Sequence, residues 1–396
     1  LGAFIGGMAL ALTLHRRVLR ALDMRDRIDE LFDRLSVRSQ TPLAVESLAE
    51  AYLDGKPRLE TLAAKSPELA LRKALSASFP DSWVSFTSAT HDQSNVVVRV
   101  ASDRNPGEYY LFDRNTKKAT YLLSSREWVE PERMAEMKPI EYTARDGMVI
   151  HGYLTLPPGS DGRNLPLILN PHGGPIGPFD SWAYNWEVQL FASRGYAVLQ
   201  VNYRGSGGRG ENFEKSGYKQ WGGKIMDDIA AGVRYTIDNG LADKDRICTY
   251  GASFGGYAAL MNPIRYPELY KCAIGYVGVY DLAYMATKGD IDDTRRGRYY
   301  VEVAVGTDEA KTKAESPVHN VDKLKIPVML VHGKDDQRVP LVHYKVMSDA
   351  LERAGRPPVS LVKDAEGHGF YKEENRIELY EKMEQFLDQH IGKAAK

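Results

Sequence analysis

The chain has 396 residues, a formal net charge of −1, an apolar fraction of 43% and a charged fraction of 27%. This length predicts about two domains, and the composition is typical of a soluble globular protein and excludes a disordered or fibrous one. Because acids and bases are balanced and mixed along the chain, nucleic acid and an anionic membrane are not expected as main partners.

The chain begins with an apolar stretch, Leu1–Leu14, followed by His15-Arg16-Arg17. A membrane span needs about 18 apolar residues, and a signal peptide carries its basic residues before the apolar part. We therefore expect a cytoplasmic protein, with a periplasmic or membrane-tethered one as the alternative if this stretch is the remnant of a signal or anchor. Because the first residue is not methionine, we also expect a truncated or processed chain.

Apolar residues recur at intervals of three and four between 16 and 75, so the sequence predicts a helical N-terminal segment over 1–80. The pattern then changes to short strands separated by turn signals such as Asn105-Pro106-Gly107. Residues 81–136 are predicted to form a small antiparallel β unit and a linker. The strand patterns are VSFTSA, NVVVRV, EYYLF and ATYLLS.

From 137 to 396, near-continuous apolar strands alternate with amphipathic helices. This alternation predicts an α/β domain with a mostly parallel sheet covered by helices on both faces. The two cysteines, Cys248 and Cys272, each lie in an apolar strand pattern. Their number and spacing indicate no disulfide framework or metal site, so we expect two buried free thiols.

The segment GASFGG, residues 251–256, fits the G-x-S-x-G nucleophile elbow between a strand and a helix. The turn must expose the Ser253 hydroxyl, and Gly251 and Gly255 avoid side chains that would collide there. Gly256 would let the helix approach the sheet. The competing interpretation is a glycine-rich turn with an incidental serine. Farther along, we expect Pro263 to kink or shorten this helix near 259–263.

A serine nucleophile needs a base and an orienting acid, which follow it in the order Ser, Asp, His in this type of fold. Asp335 or Asp336 supplies the acid just after the strand IPVMLVH, and His368 follows the next strand between two glycines. Other histidines fit less well, because His172 and His332 come earlier in the chain, at strand ends. His319, His343 and His390 have surface or helix patterns.

The tetrahedral intermediate requires preorganised hydrogen-bond donors. One candidate is the backbone N–H of Phe254, directly after the serine. The segment LILNPHGGPIGP matches the H-G-G loop of esterases, so Gly173 or Gly174 is the second candidate.

Residues 205–210 spell G-x-G-x-x-G, the pattern of a dinucleotide-binding turn. In such a site the motif opens a helix directly and an acid ends the following strand. Here ENFEKSGYKQ follows, and Asp227 and Asp228 lie inside a helical pattern. We favour a glycine-rich loop beside the active site.

These motifs together resemble the prolyl oligopeptidase family of serine peptidases, in particular its bacterial branch of acylaminoacyl-peptidases and dipeptidyl-peptidases. The resemblance covers 140–392 and rests on five segments, HGGP (172–175), NYRGSGGRG (202–210), GASFGGYAAL (251–260), HGKDDQRVP (332–340) and EGHGF (366–370).

The resemblance implies an α/β-hydrolase fold and a triad of Ser253, Asp336 and His368, with Asp336 preferred to Asp335 from its place in the family motif. It also implies that Arg338 binds a substrate carbonyl. The same resemblance implies an apolar specificity pocket for proline or another uncharged side chain, lined by Phe254, Tyr257, Val279, Leu282 and Val339.

Members of this family usually carry a β-propeller of about 300 residues before the hydrolase domain. Only about 84–123 has the pattern of a blade here, so we expect the remnant of the last one. Our leading hypothesis is a serine peptidase acting on short peptides without cofactor or metal, and self-association stays open. The alternatives are an esterase of the same fold and a catalytically inactive form that acts through association.

Overall fold

A computed structural model describes residues 48–51, 55–61 and 67–392 of the chain. Most of the predicted helical segment, including the apolar stretch Leu1–Leu14, lies outside these residues. The described residues divide into two compact units, one containing 48–51, 59–61 and 67–129, and the other containing 55–58 and 130–392. No helix in the described ranges combines the length and apolar character that crossing a bilayer requires.

The first unit contains a four-stranded antiparallel sheet, as the sequence predicted. Alternate residues of its second strand, Val96, Val98 and Val100, are buried on one face, where Leu75 of a preceding helix joins the core. Two short strands at 48–51 and 58–61 pair with each other inside the segment predicted to be helical. The elements are β1 (Leu48–Ala51), β2 (Arg58–Thr61), α1 (Pro67–Ser78), β3 (Trp83–Ala89), β4 (Asn95–Ala101), β5 (Glu108–Asp113) and β6 (Lys118–Ser124).

The second unit is built on an eight-stranded sheet in the order β14-β13-β12-β11-β9-β10-β8-β7. Strands β9 to β14 run parallel, while β7 and β8 are antiparallel at one end. The strands are β7 (Met137–Thr143), β8 (Val149–Thr155), β9 (Leu165–Leu169), β10 (Ala197–Asn202), β11 (Ala242–Ala252), β12 (Cys272–Tyr276), β13 (Val328–Gly333) and β14 (Val359–Lys363).

Helices cover both faces of this sheet, which confirms the predicted α/β-hydrolase architecture. The α-helices are α2 (Trp186–Ser193), α3 (Glu211–Lys215), α4 (Lys224–Asp238), α5 (Phe254–Arg265), α6 (Arg295–Tyr300), α7 (Glu309–Ala314), α8 (Val342–Arg353) and α9 (Glu373–Ile391). Buried residues of α4, α5 and α8 form one apolar core, and those of α2 and α9 form the other. Three 3₁₀ turns (Pro131–Arg133, Leu282–Ala286, Pro317–Lys323) and a π-helical turn (Val301–Val305) complete the unit.

The parallel strands direct the loops that follow them to one edge of the sheet. The segments after β9, β11, β13 and β14 all leave from the carboxyl ends of parallel strands. This edge is where open α/β sheets bind their ligands, and it brings together segments that are far apart in sequence.

The expectation of two free thiols is wrong, because the structure joins Cys248 and Cys272 by a disulfide. Strands β11 and β12 are parallel neighbours, and their register places the two cysteines opposite each other with Cα atoms 4.7 Å apart. This separation is within the range that a disulfide can bridge. The strand order and register that create the pair are not visible in the spacing of two cysteines.

The helix after Ser253 ends at Arg265, shortly after the interval where we predicted a kink or a shortening. Helix α5 contains Pro263 and ends at Arg265, two residues later. Pro263 therefore lies in the last turn, where the missing N–H costs a single hydrogen bond. The neighbouring Asn262 ties this turn to its surroundings, because its Nδ2 donates to the Met226 carbonyl and its Oδ1 accepts from the Tyr270 hydroxyl.

Candidate active site

Ser253 lies between the last residue of β11 and the first residue of α5. Its backbone has φ 60° and ψ −121°, a region that L-residues rarely adopt. The Ser253 N–H donates to the Tyr276 carbonyl of the adjacent strand at 2.9 Å, which fixes the turn. A strained serine on a strand-to-helix turn has the geometry of a nucleophile elbow.

The glycines on both sides of the serine allow the close contacts that this turn requires. A Cβ built on Gly251 would lie 2.5 Å from the backbone of Gly255, and one built on Gly255 would overlap the Pro171 carbonyl oxygen. A Cβ on Gly256 would lie 2.8 Å from the Tyr276 carbonyl oxygen. The steric account drawn from the sequence therefore agrees with the packing, since the elbow, helix and neighbouring loop meet through their backbones.

Asp336 and His368 meet at the same edge of the sheet, on the loops after β13 and β14. The distance between His368 Nδ1 and Asp336 Oδ2 is 2.8 Å. Asp336 is 4% exposed, whereas the side chain of Asp335 is exposed. A carboxylate accepts but does not donate, so His368 Nδ1 carries a proton and Nε2 is left as the basic nitrogen. No hydrogen bond joins Ser253 Oγ to His368 within the described residues.

The Asp336 loop is held by its own backbone and by a histidine to which the sequence analysis gave no role. The N–H groups of Arg338 and Val339 both donate to Asp336 Oδ1 at 2.9 Å. The buried His332 contacts the Val339 carbonyl through Nε2 at 2.8 Å, and burial lowers the pKa of its imidazole. The only sequence signal for His332 was its place in the segment HGKDDQRVP.

The His368 loop is closed by a buried glutamate, Glu366, which the sequence analysis did not single out. Its carboxylate accepts the N–H of Tyr371 at 2.7 Å, the N–H of Lys372 at 3.1 Å and the amide of Asn375 at 2.6 Å. These bonds join the two sides of the loop that carries His368. They also provide acceptors at the start of α9, where backbone N–H groups lack helical partners.

The three predicted oxyanion donors lie around Ser253. Phe254 is the first residue of α5, so its N–H has no acceptor within the helix. A Cβ built on Gly173 would lie 3.6 Å from Ser253 Cβ, which places this glycine beside the serine. Gly174 has φ 131°, a conformation that favours glycine.

The glycine-rich loop 205–210 lies against the loop that contains these two glycines. Gly177 N–H donates to the Gly205 carbonyl at 2.9 Å, and Gly207 N–H donates to the Gly177 carbonyl at 3.0 Å. Arg204, which directly precedes the loop, is 2% exposed and binds the fully buried carboxylate of Asp228. Asp228, which lies on helix α4, therefore anchors this loop through Arg204.

The residues proposed for the specificity pocket all belong to the large apolar cluster that forms the core on one face of the sheet. They are at most 3% exposed and comprise Phe254, Tyr257, Val279, Leu282 and Val339. The sequence analysis missed Trp221, whose ring packs edge-on against Phe254 with centroids 4.7 Å apart. Tyr257 donates its hydroxyl to the Glu315 carbonyl at 2.8 Å, so this polar group is already paired.

Arg338 lies beside this cluster with a half-exposed side chain. Its Nε is 2.7 Å from Asp290 Oδ1, an acid that the sequence analysis did not connect with the site. The Asp290 N–H donates to the Gln337 carbonyl at 2.9 Å, so the two segments are joined through their backbones as well. Asp290 therefore sets the direction in which Arg338 extends.

Comparison with known proteins identifies relatives for most of the chain. The model of the prolyl oligopeptidase family matches residues 182–394. The dipeptidyl aminopeptidase BIII of Pseudoxanthomonas mexicana is 31% identical over 323 residues, which cover 78% of this chain and 46% of that protein. The dipeptidyl peptidase family member 6 of Caenorhabditis elegans is 29% identical over 349 residues, covering 79% of this chain and 46% of the relative.

Solved structures match the fold in the same way. A puromycin-hydrolyzing peptidase of Mycobacterium tuberculosis superposes with a TM-score of 0.72 at 24% identity, covering 86% of this chain and 51% of that structure. At this identity the match supports the fold alone. The chain spans about half the length of the curated relatives that it matches.

Proposed function

The chain belongs to the prolyl oligopeptidase family of serine peptidases, and from this premise we propose that it hydrolyses peptide bonds of short peptides with Ser253 as the nucleophile. The observation that carries the proposal is the 2.8 Å contact between His368 Nδ1 and Asp336 Oδ2, at the sheet edge where Ser253 occupies its strained turn. A serine hydroxyl is a weak nucleophile, and a base oriented in this way activates it.

In the first half of the reaction, Ser253 Oγ attacks the scissile carbonyl carbon while His368 Nε2 takes the hydroxyl proton. Asp336 keeps the proton on Nδ1 and stabilises the imidazolium that forms. The C–N bond then breaks, and His368 gives the proton to the leaving amine. The products of this half are an acyl ester of Ser253 and a free amino group.

The negative charge of the tetrahedral intermediate needs donors that are in place before the reaction. The N–H of Phe254 fits this role because it lies directly after the serine and has no helical acceptor. The second donor comes from Gly173 or Gly174 in the adjacent loop. A water molecule activated by His368 then attacks the acyl ester and restores Ser253.

The apolar cluster next to Ser253 favours an uncharged side chain at the cleavage site. Tyr257, Val279, Leu282 and Val339 contribute only apolar surface and a tyrosine hydroxyl that is already bonded. Arg338 would donate to a carbonyl of the bound peptide, with Asp290 holding its guanidinium in place. A proline or small apolar residue fits this combination.

The test is turnover of a panel of peptidyl nitroanilides, with free and with blocked amino termini, by the wild type and Ser253→Ala. We expect amide cleavage by the wild type that disappears in Ser253→Ala and persists in Ser193→Ala, a control that alters an exposed serine on α2. Cleavage of short acyl nitrophenyl esters without any amide cleavage would replace the proposal by an esterase.

A fluorophosphonate probe tests the third hypothesis, an inactive form that acts through association. Such probes label a serine only when its hydroxyl is activated. An intact fold without labelling at Ser253 would overturn the proposed function and favour that form.

A further inference from the structure

His172 precedes the two glycines of the loop beside Ser253, and described residues hold its imidazole on three sides. The ring stacks on Tyr203 with centroids 4.3 Å apart and planes inclined by 19°. Its Nε2 lies 2.8 Å from Ser206 Oγ, and its Nδ1 lies 2.7 Å from the Gly173 carbonyl oxygen. The ring therefore has little freedom to rotate.

The hydrogen-bond partners determine which nitrogen of His172 carries the proton. A carbonyl oxygen only accepts, so Nδ1 donates to Gly173 and Nε2 accepts from the Ser206 hydroxyl. Burial lowers the pKa of the imidazole to about 4, so the ring is neutral near pH 7. One tautomer consequently persists over the pH range in which a histidine base operates.

Two consecutive carbonyl groups of the loop point towards the pair formed by His172 and Tyr203. The Tyr203 hydroxyl donates to the His172 carbonyl at 2.8 Å, and His172 Nδ1 binds the carbonyl of Gly173. Both peptide bonds are trans, and in a trans peptide the N–H is antiparallel to the C=O. The N–H groups of Gly173 and Gly174 therefore point away from this pair, and neither donates to an acceptor among the described residues.

Gly173 lies next to the nucleophile, because a Cβ built on it would be 3.6 Å from Ser253 Cβ. We infer that His172 and Tyr203 are positioning residues, which hold the peptide groups of Gly173 and Gly174 so that their N–H groups face the oxyanion formed at Ser253. The inference rests on the proposed function only in requiring that Ser253 is the nucleophile. Because the contacts of His172 and Tyr203 fix two consecutive peptide groups, both Gly173 and Gly174 are candidates for the second donor.

Two substitutions of His172 separate its two hydrogen bonds. Asn places its amide nitrogen where His has Nδ1 and can still donate to the Gly173 carbonyl. Gln places its amide nitrogen where His has Nε2, so it can reach Ser206 but not that carbonyl. The two variants remove the same ring, and they differ in the one contact that the inference requires.

The readout is the rate at which a fluorophosphonate probe labels Ser253, because its phosphoryl oxygen occupies the oxyanion position and no substrate needs to be known. We expect His172→Gln to lower the maximal labelling rate about 10- to 100-fold, less than the loss of a complete oxyanion donor. His172→Asn should retain several-fold more of the rate than His172→Gln. The probe concentration for half-maximal rate should change little in either, and His91→Asn, an exposed control, should label like the wild type.

Thermal unfolding of each variant shows whether the fold is intact. Tyr203→Phe keeps the stacked ring and removes only the hydroxyl, which donates to the His172 carbonyl and also lies 3.0 Å from His172 Nδ1. It supplies a second test if His172→Gln does not fold, and we expect about a 10-fold lower labelling rate. Equal rates for His172→Asn and His172→Gln, or a wild-type rate for Tyr203→Phe, would overturn the inference while the proposed function stands. A wild type that is not labelled at Ser253 would overturn both.

Discussion

The two carboxylate oxygens of Asp336 have different partners. Oδ2 lies 2.8 Å from His368 Nδ1, and Oδ1 accepts the N–H groups of Arg338 and Val339. The backbone bonds orient the carboxylate, and the carboxylate orients the imidazole. Because Asp336 is 4% exposed, water does not compete strongly for these bonds. This arrangement can be tested with substitutions that change one atom.

We expect Asp336→Asn to lower kcat about 10⁴-fold while leaving the fold intact. The amide oxygen can still accept the two backbone N–H groups, so the amide nitrogen faces His368 Nδ1. Because that nitrogen only donates, the proton of the imidazole moves to Nε2, which then cannot accept the Ser253 proton. The measurement is kcat with the unfolding temperature, and the exposed neighbour Asp335→Asn is the control. A kcat within about 10-fold of wild type would contradict the assigned role.

The strained backbone of Ser253 predicts an unusual order of stability between two inactive variants. Glycine adopts φ 60° and ψ −121° more easily than alanine, although it loses more entropy on folding. Strain of this kind costs on the order of 1–3 kcal/mol, so Ser253→Gly should be about 1 kcal/mol more stable than Ser253→Ala. Urea unfolding measures the difference. Ala252→Gly, in the preceding strand, should instead destabilise the protein, and a less stable Ser253→Gly would show that the turn is not strained.

Breaking the buried ion pair that anchors the glycine-rich loop 205–210 should cost far more stability than breaking an exposed ion pair. The side chains of Arg204 and Asp228 are 2% and 0% exposed, so Arg204→Leu leaves an unpaired buried carboxylate and should cost about 3–5 kcal/mol of unfolding free energy. Replacing both residues by leucine should recover part of this loss. Arg234→Leu is the matched control, because its pair with Glu268 is exposed and should be worth about 1 kcal/mol or less. Equal losses for the two single variants, in urea unfolding, would contradict the prediction.

A half-buried acid near the same loop, Asp180, should make stability depend on pH. Burial raises the pKa of Asp180 from 3.8 to about 7, so between these values the folded protein binds more protons than the unfolded chain. The unfolding free energy contributed by Asp180 is therefore fully present below pH 3.8 and is lost as the pH rises through 7. Asp180→Asn should remove this fall between pH 5 and pH 8, whereas the exposed Asp322→Asn should not. Identical pH dependence of the urea midpoint in wild type and Asp180→Asn would exclude a raised pKa.

Glu366 should affect catalysis through the position of His368. Glu366→Ala removes the acceptor that joins the two sides of the His368 loop, and we expect kcat to fall about 10- to 100-fold with a smaller change in KM. Glu366→Gln keeps one oxygen acceptor and should retain more activity than Glu366→Ala. Activity of the two variants at the same level, with intact folds, would show that the loop is positioned by other contacts.

Local patterns predicted much of the fold and of the candidate site. The alternation of apolar strands and amphipathic helices after residue 137 indicated the parallel sheet covered on both faces, because each pattern reports which side of its own element is buried. The GASFGG segment indicated the tight turn at Ser253, because its glycines avoid steric clashes between backbone groups only a few residues apart. The positions of Asp336 and His368 after successive strands predicted two loops at one sheet edge.

Contacts between distant segments could not be predicted in this way. The disulfide between Cys248 and Cys272 depends on β11 and β12 being parallel neighbours in a particular register. The pairing of Arg204 with Asp228, and the contacts of His172 with Tyr203 and Ser206, join residues 24 to 34 positions apart. No periodicity within either segment reports on such a partner.

The sequence by itself determined the alternation of strands and helices after residue 137, the elbow around Ser253 and the order of the candidate triad, because hydrophobic periodicity and backbone sterics act over a few residues. Only the tertiary structure decided which strands are neighbours, which cysteines meet and which side chains hold the two glycines beside Ser253. These contacts depend on how the chain crosses from one strand to the next and on the register of each pair of strands. That geometry is fixed when the whole core packs, so no single segment contains it.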